Sequence, residues 1–531
     1  MKKGLGPQRP DPPGTDPRDD REIVGMARGG TLNLVSSVFS HVADLALSLI
    51  IARELGRSIV GVYWQAYAIL ALLSLIAVSG TGAALTRFVA VYRAENDPGG
   101  VRGTVRLGLA VTMGVSLLVG TCLWFAAGWL AVTAFDDELL VMPLRFTAIT
   151  LPLVAFTHAA LGATKGFKTM KPWAFIHFIL EPLLRLTLAG VLFAQGLGLL
   201  GAMIALLGSH LAGAFASAVA LRRLMGRTVA PARYRPRQLF SFSIVSWMAS
   251  LASSGLTWAD TILLGIYLSS GDVGVYNVAT RVVVLASFVM IPITSSFAPR
   301  IAALHQQGRT ETLRRTYAVA TSWIVRLSLP GFIVIWLFPR DLLSIFGPGF
   351  ATGAAVTVVL ATGKFVDAGT GPCALMLNMS GRPAINMADN IMVLALNVAF
   401  NIWLIPIYGI IGSAVAWAIA LALVNFARVI QVWQTLGMWP FGAGTAKGLC
   451  AGGGALVAGL AVRLSAPPDL AFMLGIAAVV LVFVGLSLVL GPTADDRMLL
   501  NTLRQMPRTR GADSHTHDMK PETPRNRGMR I

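Results

Sequence analysis

Charge is scarce in this chain. Of 531 residues only 13% are Asp, Glu, Lys or Arg, while 55% are hydrophobic, and the mean hydropathy is +0.69. Soluble globular domains carry about 25% charged residues, so a water-soluble fold is excluded. Cysteine is nearly absent. Cys122, Cys373 and Cys450 each fall in an apolar window without metal-ligand or disulfide-framework spacing, which reads as inert core residues. The sequence also lacks HExxH, Gly-x-Ser-x-Gly and any nucleotide fingerprint. Gly363-Lys364 is no P-loop, because Phe365 stands where Ser or Thr would hold the metal. His515 and His517 have no further ligands beside them and do not make a metal site. A transporter rather than an enzyme is expected, with no cofactor and no metal.

What the chain does contain is apolar runs. A helix needs roughly 20 mostly apolar residues to cross a bilayer, and about fourteen such windows lie between Gly29 and Gly491. The expected fold is all-α integral membrane, with about fourteen transmembrane helices. The net charge of +18 is then a matter of position. Threading the windows alternately, with the N-terminus cytoplasmic, places most of the cations on one side, including Arg87, Arg93, Arg222, Arg223, Arg300 and Arg315. That bias is the positive-inside rule. The basic excess therefore records topology, and nucleic acid is not expected as a partner. Both termini fall on the cytoplasmic side, and the first apolar run is long enough to span, so no cleavable signal peptide is expected.

Composition divides the chain further. Residues 1–28 and 493–531 read as disordered tails, 29–221 and 239–432 as two six-helix bundles, 222–238 as a basic solvated linker, and 433–492 as an extra helix pair. The two bundles share motifs. Val60-Gly61-Val62-Tyr63 returns as Val273-Gly274-Val275-Tyr276, and Gly198-Leu199-Leu200-Gly201 as Gly409-Ile410-Ile411-Gly412. The two offsets agree to within two residues, which argues for duplication. An even number of helices per copy leaves both in the same orientation, related by an axis along the membrane normal and enclosing a central cavity. Rocking the bundles about that cavity would give alternating access.

Polar residues inside apolar runs mark the cavity candidates, because a charge in the bilayer costs about 2.5–3.5 kcal/mol on insertion scales. The stretch Asp260–Pro299 reads as a membrane hairpin around Ser269-Ser270-Gly271-Asp272, with Asp260 in one arm and Arg281 in the other. His177, Glu181 and Arg185 share one helical face, open either to a Glu181–Arg185 pair or to a proton-coupling role. Lys364 and Asp367 stand one turn apart. Asn386, Asn390, Asn397 and Asn401 form a stripe with Asp389 beside it, suited to interhelical packing or to sugar hydroxyls. Asp44, Asp260, Arg281 and Arg326 have no local partner of opposite charge and need distant partners or water. Substrate-binding candidates are thus Arg281, Arg326, Lys364, Arg185, Asn390 and Asn397. Coupling or gating candidates are Asp44, Glu181, Asp260, Asp367 and His177. Guanidinium groups facing a cavity suit a phosphate, since the planar fork binds two oxygens at once.

The first hairpin, Leu55-Gly56 before Val60-Gly61-Val62-Tyr63 and then Gly80-Thr81-Gly82-Ala83-Ala84-Leu85-Thr86-Arg87, resembles the polysaccharide transporter family. So does the second, with Leu264-Gly265, Asp272-Val273-Gly274-Val275-Tyr276 and Pro299-Arg300-Ile301-Ala302. These are the Wzx-type oligosaccharide flippases of the multidrug/oligosaccharidyl-lipid/polysaccharide exporter superfamily. The resemblance covers residues 29–491. It implies movement of a polyprenyl-pyrophosphate-linked oligosaccharide from the inner to the outer leaflet of a bacterial plasma membrane, with Arg281 as the first pyrophosphate candidate. Membrane lipids, a polysaccharide polymerase and glycosyltransferases are the partners it implies. Two alternatives stay open: a cation-coupled multidrug exporter of the same superfamily, favoured by the interior acids, and an integral-membrane glycosyltransferase or polymerase, favoured only by size and helix count.

Overall fold

A computed structural model describes residues 17–226, 230–493 and 496–497, with side chains from Ser36 onward except at 249, 252 and 253. The expected tails at 1–16 and 498–531, with His515 and His517, lie outside the described residues. Every regular element among the described residues is helical, and the chain is an all-α integral membrane protein.

The first half comprises α1 (Pro17–Val78), α2 (Thr81–Ala94), α3 (Pro98–Trp129), α4 (Val141–Gly166), α5 (Lys171–Phe175), α6 (Glu181–Ala194) and α7 (Gly198–Met225). The second comprises α8 (Pro236–Tyr267), α9 (Ser270–Ala286), α10 (Met290–Gln306), α11 (Thr310–Leu337), α12 (Pro339–Ser344), α13 (Ala354–Thr370), α14 (Cys373–Met379) and α15 (Pro383–Leu436). The chain then forms α16 (Ala443–Ser465) and α17 (Pro468–Leu490).

Among the described residues ten helices are long and apolar enough to cross a membrane, or eleven with the bent α9–α10 pair taken as one span. Two of the ten are unusually long because a glycine turns them without ending them. Gly56 takes φ 79°, ψ 176° inside the 62-residue α1, and Gly409 takes φ 59°, ψ −137° inside the 54-residue α15. Both conformations are open to glycine at little cost. α1 already begins at Pro17, within the segment expected as a tail, where proline at the first helical position suits a helix start.

The hairpin at Asp260–Pro299 folds as its residues dictate. The α8–α9 turn is closed by Ser269, whose side chain accepts from the Asp272 amide. Its second arm breaks at 287–289 and bends by 49° into α10, where a single straight helix is expected from the apolar run. The linker is exposed over most of 231–238 and is also tied to α3: Arg233 N–H donates to Gly99 O at 3.0 Å, Arg102 donates to Ala230 O at 3.1 Å, and Arg233 stands 3.8 Å from Asp97. A side chain at Gly103 would strike Arg233 O at 1.8 Å, so small residues on α3 are what let the linker backbone lie against it.

The cysteines also divide. Cys373 is buried, but Cys122 and Cys450 are exposed on helix surfaces and are not core residues. On α17, Leu481, Leu488 and Val489 are likewise exposed, as expected where lipid takes the place of protein neighbours.

Candidate functional site

Four of the sequence candidates meet around one cavity. Asp44 of α1, Asp260 of α8, Arg281 of α9 and Lys364 of α13 line a chamber of about 390 Å³. The first half contributes His41, Asp44, Trp64 and Tyr67, and the second supplies most of the remaining wall, including Trp258, Tyr276 and Trp417. The two halves also meet in close backbone packing outside the chamber wall. Gly61 of α1 lies against Gly274 of α9, and Gly80 before α2 lies against Ser243 and Trp247 of α8.

Arg281 is the cation in this wall without a carboxylate. Among the described residues it forms no hydrogen bond or ion pair, and its guanidinium carbon sits 3.3 Å from the centroid of Trp64. A cation over an indole face gains about 0.5–1 kcal/mol when exposed and about 2 or more when desolvated. That contact orients the group while leaving its N–H donors uncommitted. The nearby acids are engaged elsewhere. Asp44 is hydrogen-bonded by Arg185 of α6, and Arg185 also approaches the Tyr67 ring at 5.3 Å. Asp260 accepts from Tyr276 Oη at 2.9 Å and from Asn401 Nδ2 at 2.9 Å, with no cation paired to it among the described residues. Asn397, one turn before Asn401, is fully buried. Lys364 donates to Asp367 at 2.8 Å, and Asp367 takes a second hydrogen bond from Asn425 at 3.1 Å.

Arg185 and Asp367 stand behind the wall, on Asp44 and Lys364, whereas Arg326 and Asn390 have other partners. Arg326 of α11 does not face the chamber: its guanidinium donates to Gly444 O of α16 at 2.9 Å and to Asp496 at 3.0 Å. It ties the extra helix pair and the chain beyond it to α11, a partnership that pattern alone does not reveal. Asn390 accepts from Arg428 at 2.7 Å, and Asp389 stands 3.5 Å from the same guanidinium. Asn386 donates to Asn378 at 3.2 Å.

Glu181 does not pair with Arg185 one turn on. The carboxylate lies between His177 at 3.4 Å and His210 of α7 at 3.5 Å, since Arg185 is taken by Asp44. Gly213 makes room for it, because a Cβ there would meet Glu181 Oε1 at 2.1 Å.

Sequence reasoning missed the aromatic walls and His210. Trp64 and Tyr276 had a usable signal, being next to or inside the repeated Val-Gly-Val-Tyr motif. Trp258, Trp417 and His210 had none, because single aromatics and histidines in apolar runs are indistinguishable from core.

Comparison with known proteins matches this architecture. The sequence profile described as polysaccharide biosynthesis protein matches residues 26–305, and that described as MatE matches 246–403. The chain is 30% identical over 211 residues to the probable flippase AglR of Haloferax volcanii, covering 38% of this chain and 43% of that protein. It therefore spans less than half the length of that relative. It is 22% identical over 408 residues to the probable low-salt glycan biosynthesis flippase Agl15 of the same organism, covering 75% of this chain and 82% of the relative. Among solved structures, the lipid II flippase MurJ in an inward closed conformation superposes with a TM-score of 0.70 at 14% identity, over 86% of this chain and 98% of that one; at that identity the likeness is one of fold. With the first profile matching over half its length, the chain belongs to the polysaccharide biosynthesis protein family, as a polysaccharide transporter of the multidrug/oligosaccharidyl-lipid/polysaccharide exporter superfamily.

Proposed function

We propose that the chain is a flippase for a lipid-linked oligosaccharide, passing a polyprenyl-diphosphate-linked glycan from the inner to the outer leaflet of a bacterial plasma membrane. The single observation that carries this reading is Arg281, a guanidinium in a chamber shared by both halves that forms no ion pair with a carboxylate among the described residues. A diphosphate supplies the missing direct partner, and the planar fork suits its oxygens. The aromatic and hydroxyl-bearing walls, Trp258, Trp417 and Thr280 among them, suit the faces and hydroxyls of sugar rings.

In this reading the chain acts as a transporter and not as an enzyme. It works as two six-helix bundles, 29–221 and 239–432, with a further pair at 433–492, fourteen crossings and both termini cytoplasmic. The Asp44–Arg185 pair joins α1 to α6 and serves as a gating contact when the halves rock. Glycosyltransferases and a polymerase would supply and consume the cargo.

Depletion of the protein is expected to leave the lipid-linked precursor on the cytoplasmic leaflet, scored by accessibility of its glycan to an impermeant lectin. An unchanged leaflet distribution rejects the proposal. The drug-exporter reading draws on Asp44 and Asp260 in the chamber wall and on the MatE match. It requires a deletion strain to gain drug susceptibility with the glycan lipid correctly distributed.

A further inference from the structure

A second cavity, of about 490 Å³, lies along α1 toward the end of the molecule that carries the basic turns and the linker. Tyr67 lines the central chamber and Ser74 lines this one, about two turns or about 10 Å further along the same helix. Its wall is assembled from α1, α2, α4, α5 and α8 and therefore joins the two halves. It differs from the central chamber in charge. The central wall contains the carboxylates of Asp44 and Asp260, whereas the second wall contains Arg87, Lys165 and His158 and no acidic residue.

Neither cation has an anionic partner among the described residues. Lys165 Nζ lies 3.0 Å from the centroid of Trp173, and the Arg87 guanidinium lies 4.7 Å from that of Phe242. Aromatic faces hold both groups in place without neutralising them or occupying their N–H donors in hydrogen bonds. The start of α2 adds to the same field. Gly80 carries no side-chain cap, and Gly80 and Gly82 line the cavity, so first-turn amides with their partial positive charge stand at its edge. Two fixed cations and a helix start around an acid-free cavity call for a ligand with more than one negative charge.

We propose that this cavity is a second diphosphate-binding site, distinct from Arg281, in which Lys165 and Arg87 hold the diphosphate of a lipid-borne ligand before it moves along α1 to the central chamber. The assignment of a lipid-borne source rests on the flippase reading; the diphosphate chemistry does not.

The test uses full-length protein in neutral-lipid nanodiscs, titrated calorimetrically with inorganic diphosphate and, in a separate arm, with farnesyl diphosphate. The background is R281Q, which removes the central guanidinium. R281Q is expected to retain one diphosphate site whose affinity falls with added salt. Adding K165Q and R87Q is expected to weaken it about tenfold or more, the loss of two charge-assisted contacts. Unchanged melting temperatures check that the variants fold, and K165R, which keeps the charge, should restore binding if the triple variant alone is unstable.

Binding of both probes assigns the site to lipid-borne diphosphate. Binding of inorganic diphosphate alone overturns the loading role and leaves a site for a free cytosolic anion. Loss of all binding in R281Q, or titration of K165Q/R87Q like its parent, overturns the second site altogether. The leaflet assay is independent of these titrations. A correctly distributed glycan lipid on depletion would sink the flippase reading with the site intact, and a silent titration would sink the site with the flippase intact.

Discussion

Gly61 of α1 and Gly274 of α9 pack on each other's backbone. A Cβ at Gly61 would meet Ser270 O at 1.7 Å, and a Cβ at Gly274 would meet Arg57 O at 2.1 Å. Ser270 and Arg57 each stand four residues before their own glycine, so the contact is reciprocal. The Val-Gly-Val-Tyr motif that recurs in the sequence is thus one of the places where the two halves touch.

Because backbone blocks the added methyl on both sides, Gly61→Ala and Gly274→Ala are each expected to cost about 3 kcal/mol or more, the upper range for overpacking. Gly128→Ala is the control. It lies on α3 with nothing within 4 Å of the added Cβ, and it should be neutral or gain up to about 1 kcal/mol from helix propensity. Thermal unfolding in detergent distinguishes the two classes; a stable G274A would contradict the crossing.

Replacing Arg281 should abolish transport without unfolding the protein, because the group has no ion pair to lose. R281Q is expected to lower flipping at least tenfold in a reconstituted leaflet assay, with the melting temperature near that of the parent. R281K keeps the charge but loses the planar fork and should fall between them. A fully active R281Q would remove the basis of the proposed function.

Asp44→Asn leaves Arg185 buried with its charge uncompensated, whereas removing both partners does not. The single change is expected to destabilise by about 3–5 kcal/mol, and the double variant D44N/R185Q by less than the sum of the two singles. Additive losses in a double-mutant cycle would show that the hydrogen bond between them contributes nothing specific.

Asp496 offers a pH-dependent tie at the end of the chain. Burial pushes its carboxyl up, but hydrogen bonds from the Thr493 amide and Trp323 and the nearby charge of Arg326 outweigh this and hold it below its ordinary value of 3.8. A carboxyl lowered by folding stabilises the folded state above its unfolded value and loses that contribution as pH falls through the lowered one. The stability difference between the parent and D496N should therefore be full at neutral pH and shrink only below about pH 3.8. A difference that grows on acidification would reverse the sign and refute the tie.

How far the site was legible depended on the range of each interaction. Lys364 and Asp367 stand one turn apart and pair as their spacing requires. Glu181 and Arg185 have equally good spacing and do not pair, because His177, His210 and Asp44 reach them first from their own and neighbouring helices. Sequence pattern groups Arg326 with Arg281 as a chamber cation, yet its carboxylate comes from far along the chain, at Asp496. Local spacing shows which contacts are possible. It does not rank them against partners that folding brings in.

The sequence alone determined that the chain lives in lipid and that it is helical throughout its membrane region, and its repeated motifs set up the expectation of two related halves. Those properties follow from hydropathy summed over long windows and from motifs, and they need no knowledge of which helix neighbours which. Only the tertiary structure decided that Asp44, Asp260, Arg281 and Lys364 share one chamber while Arg326 does not, and that Arg281 is the one left facing an indole instead of a carboxylate. A buried charge takes whichever partner the packing of distant helices brings within about 3–4 Å, and that choice is made in three dimensions.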